Sequence, residues 1–344
     1  MGDISNFKVG LSSDLDNGQG GFSWGEINID SLAPLNWNFL PSVGSTFTPE
    51  SLSGYDAVAF AGPGITDDSF PEPELSPLVL SRFGVGYDNI DLAACTAAGT
   101  ALTITPDGSK KPVATAALML MLSTMHRLVA KDSLARANGW NRRLDGLGQG
   151  LNGKTVGTIG LGNIASEFFR LIAPFDTNRI SFDPWKTDAE ALQHNVTLVD
   201  LPTLMASADV VVVMAALTPE TRHLIGAKEI GAMKRSAILI NISRGPIVDE
   251  SALINALTSH SIFGAGLDVF ETEPTSPGNP LLAMDNVIVT PHNIAWTDEL
   301  AFGMGTSAFK AITEISNGRI PDFVVNKDVV NTPQFKEKLA KWQR

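Results

Sequence analysis

Residues 154–185, KTVGTIGLGNIASEFFRLIAPFDTNRISFDPW, leave the chain little choice of fold. An apolar, β-type run (Thr155 to Leu161) passes directly into Gly160-Leu161-Gly162-Asn163-Ile164-Ala165. Helix-spaced apolar residues follow (Ile164, Phe168, Leu171, Ile172), and a second short strand ends on Asp183. Gly160 permits a tight turn, Gly162 lets backbone approach a pyrophosphate, and Ala165 is small enough for close helix–strand packing. The helix start at Asn163 and Ile164 offers N–H groups and a positive dipole end to phosphates. Asp183 lies about 20 residues past the glycines, where a carboxylate accepts hydrogen bonds from a ribose diol. Strand, turn, helix and terminal acid in this order predict a dinucleotide-binding βαβ unit.

The whole chain, 344 residues with 44% hydrophobic and 18% charged side chains, is long enough for two domains with sizeable cores. A formal net charge of −12 argues against nucleic acid or anionic membrane surfaces as partners. It also means that an anionic substrate must be drawn in by local cations. The single cysteine, Cys95, rules out an internal disulfide framework and reads as a small buried residue. The first ten residues, MGDISNFKVG, lack a signal-peptide pattern, and no apolar run reaches the roughly 18 residues of a membrane span. The expectation is a cytoplasmic protein with no membrane partner and no bound metal.

Short strands are expected at 8–11, 57–60 and 78–80, the second ending in the loop AGPGI (61–65). Gly, Ser, Asn and Pro crowd residues 12–50, and no helix can be placed there. A helix is expected over 112–139, with Pro112 in its first turn and Gly139 at its stop, followed by a Gly-rich arm at 140–153. Beyond Asp183, strands at 196–199, 209–216, 237–243, 264–269 and 286–291 alternate with helices at 202–207, 226–234 and 249–259. Near-continuous apolar runs such as VVVVM and AILINI indicate a parallel sheet covered on both faces. An amphipathic helix at 297–317 precedes a charged tail, 333–344, expected to be a solvated helix or a frayed end. The organisation predicted is α/β: a Rossmann-type nucleotide-binding domain (108–293) inserted into a smaller flavodoxin-like substrate domain (1–107 with 294–344).

Polar residues sit at the ends of successive strands in the second half: Arg244, Asp268 and His292, with Glu273 shortly after Asp268. Beside a nicotinamide, an arginine grips a substrate carboxylate and polarises the neighbouring carbonyl. A histidine passes a proton to or from the hydroxyl. A carboxylate orients the imidazole and favours its protonated form. His126, His194, His223 and His260 read as structural residues.

With FGVGYDNID, GKTVGTIGLGNIA, TPETRHLI, NISRGPIVDESAL, GAGLDVFETEP, NVIVTPHNIAWT and GRIPDFVVN, the chain resembles the D-isomer-specific 2-hydroxyacid dehydrogenase family over about residues 55–330. The resemblance implies that Arg244 binds the substrate carboxylate and keto oxygen, that His292 is the acid/base, and that Glu273 rather than Glu271 is its partner. It implies Asp268 by the nicotinamide carboxamide, the Val85 and Gly86 amides on the substrate carboxylate, and cofactor contacts from Ala215, Thr221, Ile242, Ser243, Arg244 and His292. A homodimer through the 112–153 helix and arm is implied as well.

The activity implied is NAD-dependent reduction of a small 2-keto acid of glyoxylate, hydroxypyruvate or pyruvate type to the D-2-hydroxy acid, or the reverse. Loop 61–65 carries no arginine for a phosphate, although Arg82 is near in sequence. Asp183 would repel a 2′-phosphate, favouring NAD over NADP, a preference Lys186 could soften. Trp296, four residues past His292, is read either as a pocket wall or as core packing. Two alternatives share the fold: an NAD(H)-sensing corepressor-like protein and a phosphite-type dehydrogenase.

Overall fold

The computed structural model describes residues 4–343. Five short parallel strands form the sheet of the first compact unit: β1 (Lys8–Leu11), β2 (Asn36–Phe39), β3 (Ala57–Phe60), β4 (Val79–Arg82) and β5 (Ala101–Thr103). Their order, β2-β1-β3-β4-β5, is that of flavodoxin-like domains. This unit comprises the described residues up to Pro112 together with those from Trp296 onward. The chain leaves it at Pro112 and returns after a second unit, Val113–Ala295.

The second unit holds seven parallel strands: β6 (Thr155–Ile159), β7 (Asn178–Phe182), β8 (Thr197–Leu198), β9 (Val210–Val213), β10 (Ile238–Asn241), β11 (Gly264–Leu267) and β12 (Val287–Val289). The order β12-β11-β10-β9-β6-β7-β8 is a Rossmann arrangement, reversing between β6 and β9. Adjacent valines of β9 show why its sequence is continuously apolar. Val211 and Val213 pack into one buried cluster, Val210 and Val212 into the cluster on the opposite face. Two covered faces remove the polar half of the usual strand alternation.

The first unit closes around the Asp298–Ser316 helix, which buries Leu300, Met304, Phe309, Ile312 and Ile315. Its glycines serve close approach: a Cβ at Gly305 would stand 1.8 Å from the Ile27 carbonyl oxygen. Cys95 is fully buried there, and burial, aided by the Asp91 charge, pushes its thiol up to about 12. It is an inert packing residue, as its setting in the sequence suggests.

Several local expectations change. The long helix begins at Pro106, not Pro112, and runs to Met125 with Pro112 inside it. Pro106 takes the first-turn position, where a missing N–H costs nothing. The helix does not continue to residue 139. Arg127 adopts φ +53°, and a separate helix, Leu128–Arg136, leaves at 59° to the first. No single described helix is long and apolar enough to cross a membrane. Within 12–50, β2 forms the edge of the sheet with mostly exposed side chains, so it lacks the apolar signature of a strand.

The charged tail is helical, one of the two states expected, but it is packed rather than solvated. It forms the Pro333–Ala340 helix, capped by the Thr332 side chain on Phe335 N–H, with Phe335 and Leu339 buried. Lys338 is buried with them, its Nζ donating to Ser76 Oγ at 2.6 Å and the Ala98 carbonyl at 2.8 Å. Burial, reinforced by the Lys341 charge, lowers the ammonium to about 8 from its ordinary 10.5. Between these two values the unfolded chain binds the proton and the folded chain does not, so stability rises with pH. We expect denaturant titrations from pH 8 to 10.5 to show wild type gaining up to about 3 kcal/mol relative to Lys338→Met. Parallel curves for the two proteins would show that Lys338 is not buried as described.

Candidate active site

In the second unit the strand ends at the reversal of order carry the glycine turn. Gly160 has φ +95°, and a Cβ there would lie 2.9 Å from the Met214 carbonyl oxygen, so no larger residue fits. Gly162, by contrast, faces open space within 4 Å of its would-be Cβ. It precedes the Asn163–Ile172 helix, whose start has no side-chain cap. Ala165 is buried against the sheet, while Asn163 is exposed and Ile164 half-buried. Space, an uncapped helix start and a positive dipole end suit a diphosphate.

Asp183 follows β7. Its Oδ2 accepts from Leu161 N–H at 2.8 Å and its Oδ1 from Trp185 N–H at 2.9 Å. The carboxylate is thereby fixed beside the glycine turn, where a ribose hydroxyl would meet it. Lys186 is engaged elsewhere, with Nζ 2.9 Å from Glu190 Oε1. These residues together fit a nicotinamide dinucleotide.

The segments after β9 and β10 are tied to each other. Ser243 Oγ donates to the Ala215 carbonyl, and Thr221 Oγ1 donates to the Ala216 carbonyl at 2.7 Å. Ile242 packs against the sheet cluster below. Asn241, fully buried, accepts from Ser243 N–H with Oδ1 and donates to the Arg244 carbonyl with Nδ2. Arg244 Nη1 donates to the Ser243 carbonyl at 2.9 Å. Gly245 has no alternative, since a Cβ there would fall 1.8 Å from the Phe270 carbonyl oxygen. The loops carrying Arg244 and Glu273 are thus in backbone contact.

His292 and Glu273 meet directly: Nδ1 lies 2.7 Å from Glu273 Oε2, and Glu273 Oε1 accepts from Phe270 N–H at 2.9 Å. Burial alone would raise the Glu273 carboxyl. The His292 hydrogen bond, the Phe270 N–H and the charges of His292 and Arg244 outweigh it and hold the group below its usual value. Arg244 therefore acts on the same carboxylate as His292. With Nδ1 engaged, Nε2 is the imidazole atom left to a ligand.

Asp268 organises the turn that presents His292. Its backbone carbonyl accepts from His292 N–H at 2.8 Å. Its Oδ1 accepts from Thr290 Oγ1 at 2.7 Å and from the N–H groups of Asn293 and Ile294. These bonds sustain the left-handed φ of +55° at His292, a conformation that costs a side-chain-bearing residue about 1 kcal/mol or more. Burial leaves the Asp268 carboxyl raised despite its hydrogen bonds and the His292 charge.

A second His–Glu pair lies alongside, which no local pattern of residues marks in advance. His223, read as structural, has Nε2 2.6 Å from Glu271 Oε1, while its N–H donates to the Pro246 carbonyl. Glu271 N–H in turn donates to Glu250 Oε2 at 2.9 Å. The pair staples the segments after β9, β10 and β11.

Val85 and Gly86 belong to the first unit, just after β4, and are half-buried. Gly84 before them has φ +120°, its N–H donating to Thr105 Oγ1 at 2.8 Å. Trp296 is not core packing: it is 54% exposed, with its ring 4.3 Å from that of Trp24. Among the described residues no cluster of His, Cys, Asp or Glu could hold a metal ion.

Comparison with known proteins agrees with this geometry. Residues 118–293 match the model described as D-isomer specific 2-hydroxyacid dehydrogenase, NAD binding domain. The D-3-phosphoglycerate dehydrogenase of Methanocaldococcus jannaschii is 39% identical over 83% of this chain and 53% of its own length. The chain thus spans about half the length of that relative and of its Archaeoglobus fulgidus counterpart. The glyoxylate reductase of Thermofilum pendens is 36% identical over 76% of this chain and 78% of its own. A solved glyoxylate reductase from Paecilomyes thermophila, 26% identical, superposes with a TM-score of 0.78 over 94% of this chain and 99% of its own. With its Rossmann sheet, its glycine turn and these relatives, the chain belongs to the D-isomer specific 2-hydroxyacid dehydrogenase family.

Proposed function

We propose that the protein is an NAD-dependent D-2-hydroxyacid dehydrogenase. It reduces a small, non-phosphorylated 2-keto acid of glyoxylate, hydroxypyruvate or pyruvate type, or oxidises the hydroxy acid in reverse. The observation that carries this reading is the 2.7 Å His292–Glu273 pair, with Arg244 close enough for its charge to act on the same glutamate. The names of the relatives support the substrate class without choosing within it: some are glyoxylate or glyoxylate/hydroxypyruvate reductases, others phosphoglycerate dehydrogenases.

In this reading Arg244 and the Val85 and Gly86 amides hold the substrate carboxylate. Arg244 also polarises the keto oxygen, which gains negative charge as the carbonyl carbon is reduced. The bound nicotinamide supplies the hydride for that carbon. His292 delivers a proton from Nε2 to the oxygen, and Glu273 fixes the ring and stabilises its positive form. Asp268 sets the turn on which the imidazole stands. In the oxidative direction His292 takes the proton back.

NAD is favoured over NADP. The Asp183 carboxylate is held at the end of β7 by two N–H groups, and the Lys186 ammonium is neutralised by Glu190. A homodimer is the expected assembly, supported by exposed apolar side chains at Met119, Leu128, Val129, Trp140, Leu144 and Leu147. A cytoplasmic setting suits a chain with one buried thiol and no disulfide.

The test is reduction of glyoxylate, hydroxypyruvate and pyruvate with NADH. His292→Gln should lower kcat by at least about 100-fold, the lower range for lost acid–base catalysis; an unchanged kcat removes His292 from the reaction. Toward low pH, the lowered carboxyl of Glu273 stays ionised below the usual carboxylate range, and the stability it contributes is lost as pH falls through that lowered value. Asp183→Asn removes the charge and keeps one of the two acceptors, because the amide nitrogen that replaces the other carboxylate oxygen donates rather than accepts. It should raise kcat/KM with NADPH relative to NADH by about tenfold, equivalent to about 1.4 kcal/mol. An unshifted ratio would show that Asp183 does not choose the cofactor. Light scattering should give twice the chain mass for wild type and a lower mass for Leu144→Asp with Leu147→Asp.

A further inference from the structure

The order of the five-stranded sheet reverses between β1 and β3, and in open α/β sheets ligands bind outside the carboxyl strand ends at such a reversal. Here the segments after β1 and β3 meet through one side chain. Asp14, just past β1, accepts from Ala61 N–H at 3.1 Å and from Gly62 N–H at 2.7 Å, both through Oδ2. Its Oδ1 is shielded from solvent and has no hydrogen-bond partner among the described residues. Two adjacent backbone N–H groups at a strand end would otherwise form a natural cradle for an anion. The chain fills that cradle with its own carboxylate.

The same loop is locked to the one that carries Val85 and Gly86. Asn89 Nδ2 donates to the Gly62 carbonyl at 3.0 Å, and Ile65 N–H donates to the Asn89 carbonyl at 3.1 Å. Gly64 lies so close that a Cβ would fall 2.9 Å from the Asn89 carbonyl oxygen. The neighbouring cation, Arg82 at the end of β4, has its guanidinium 5.5 Å from the centre of the Phe60 ring. A shielded carboxylate is poorly screened by water, so its repulsion of another anion persists at short range.

We propose that Asp14 is a specificity-determining residue that rejects 2-keto acids bearing a second anionic group, phosphate or carboxylate, on the tail. The claim rests on the keto-acid reading above and extends it: the substrate's tail is uncharged. Specificity here comes from repulsion and from donors already occupied, not from an added attractive contact.

The test compares wild type, Asp14→Asn and Asp14→Ser, the latter a shorter acceptor in case the first does not fold. In each, kcat/KM with NADH is measured for pyruvate and for 2-oxoglutarate, and the affinities of oxamate and 2-oxoglutarate are measured by calorimetry with NADH present. We expect the ratio of 2-oxoglutarate to pyruvate turnover to rise at least about tenfold in the variants, with the calorimetric ratio moving the same way. A ratio within about twofold of wild type in both variants, by turnover and by calorimetry, overturns the proposal. A shifted calorimetric ratio with no turnover of any keto acid by wild type upholds Asp14 and overturns the reductase reading instead.

Discussion

Backbone N–H groups at the carboxyl ends of parallel strands must find acceptors, and in this protein carboxylates supply them. Asp14 takes the amides of Ala61 and Gly62, Asp183 those of Leu161 and Trp185, Asp268 those of Asn293 and Ile294, and Glu273 that of Phe270. A loop whose amides lacked such partners would lose about 1–3 kcal/mol for each one buried. The acids that hold the loops are also those to which function is assigned here. On the function proposed, negative charge thus accumulates at strand ends that would receive an anionic substrate, which would place the burden of attraction on Arg244 and on backbone amides.

Asp268 shows how holding a loop becomes chemistry. A histidine at φ +55° is unfavourable in isolation, and the bonds to Asp268 compensate for it within five residues of chain. Glu273 then needs to control only the ring. The neighbouring His223–Glu271 pair repeats the device for the segment after β9, so that the segments after β9, β10 and β11 are braced by glutamates on one extended piece of chain. Gly245 completes the arrangement by admitting the Phe270 backbone where any side chain would collide.

The legible parts of the sequence were those in which local pattern and tertiary role coincide. The β6 strand, its glycine turn and Asp183 lie within one βαβ unit and announce themselves by spacing. The doubly buried valines of β9 do so by composition. Arg244, Glu273 and His292 could be singled out because strand ends are predictable once strands are. What escaped were features set by contacts between distant segments. Edge strand β2 is exposed and therefore unpatterned. The helix break at Arg127 has no proline to mark it. Lys338 looks like a solvated tail residue until Ser76 and Ala98 close over it. Asp14 lies in a stretch without periodicity, and its partners are residues 61 and 62.

The function proposed is hydride transfer to a 2-keto acid at the strand ends of the second unit. Reduction of pyruvate with NADH carrying deuterium at the transferable position addresses it most directly, with the product resolved by chirality and mass. The expected product is D-lactate bearing the label on C2. L-lactate, or product without the label, would contradict it.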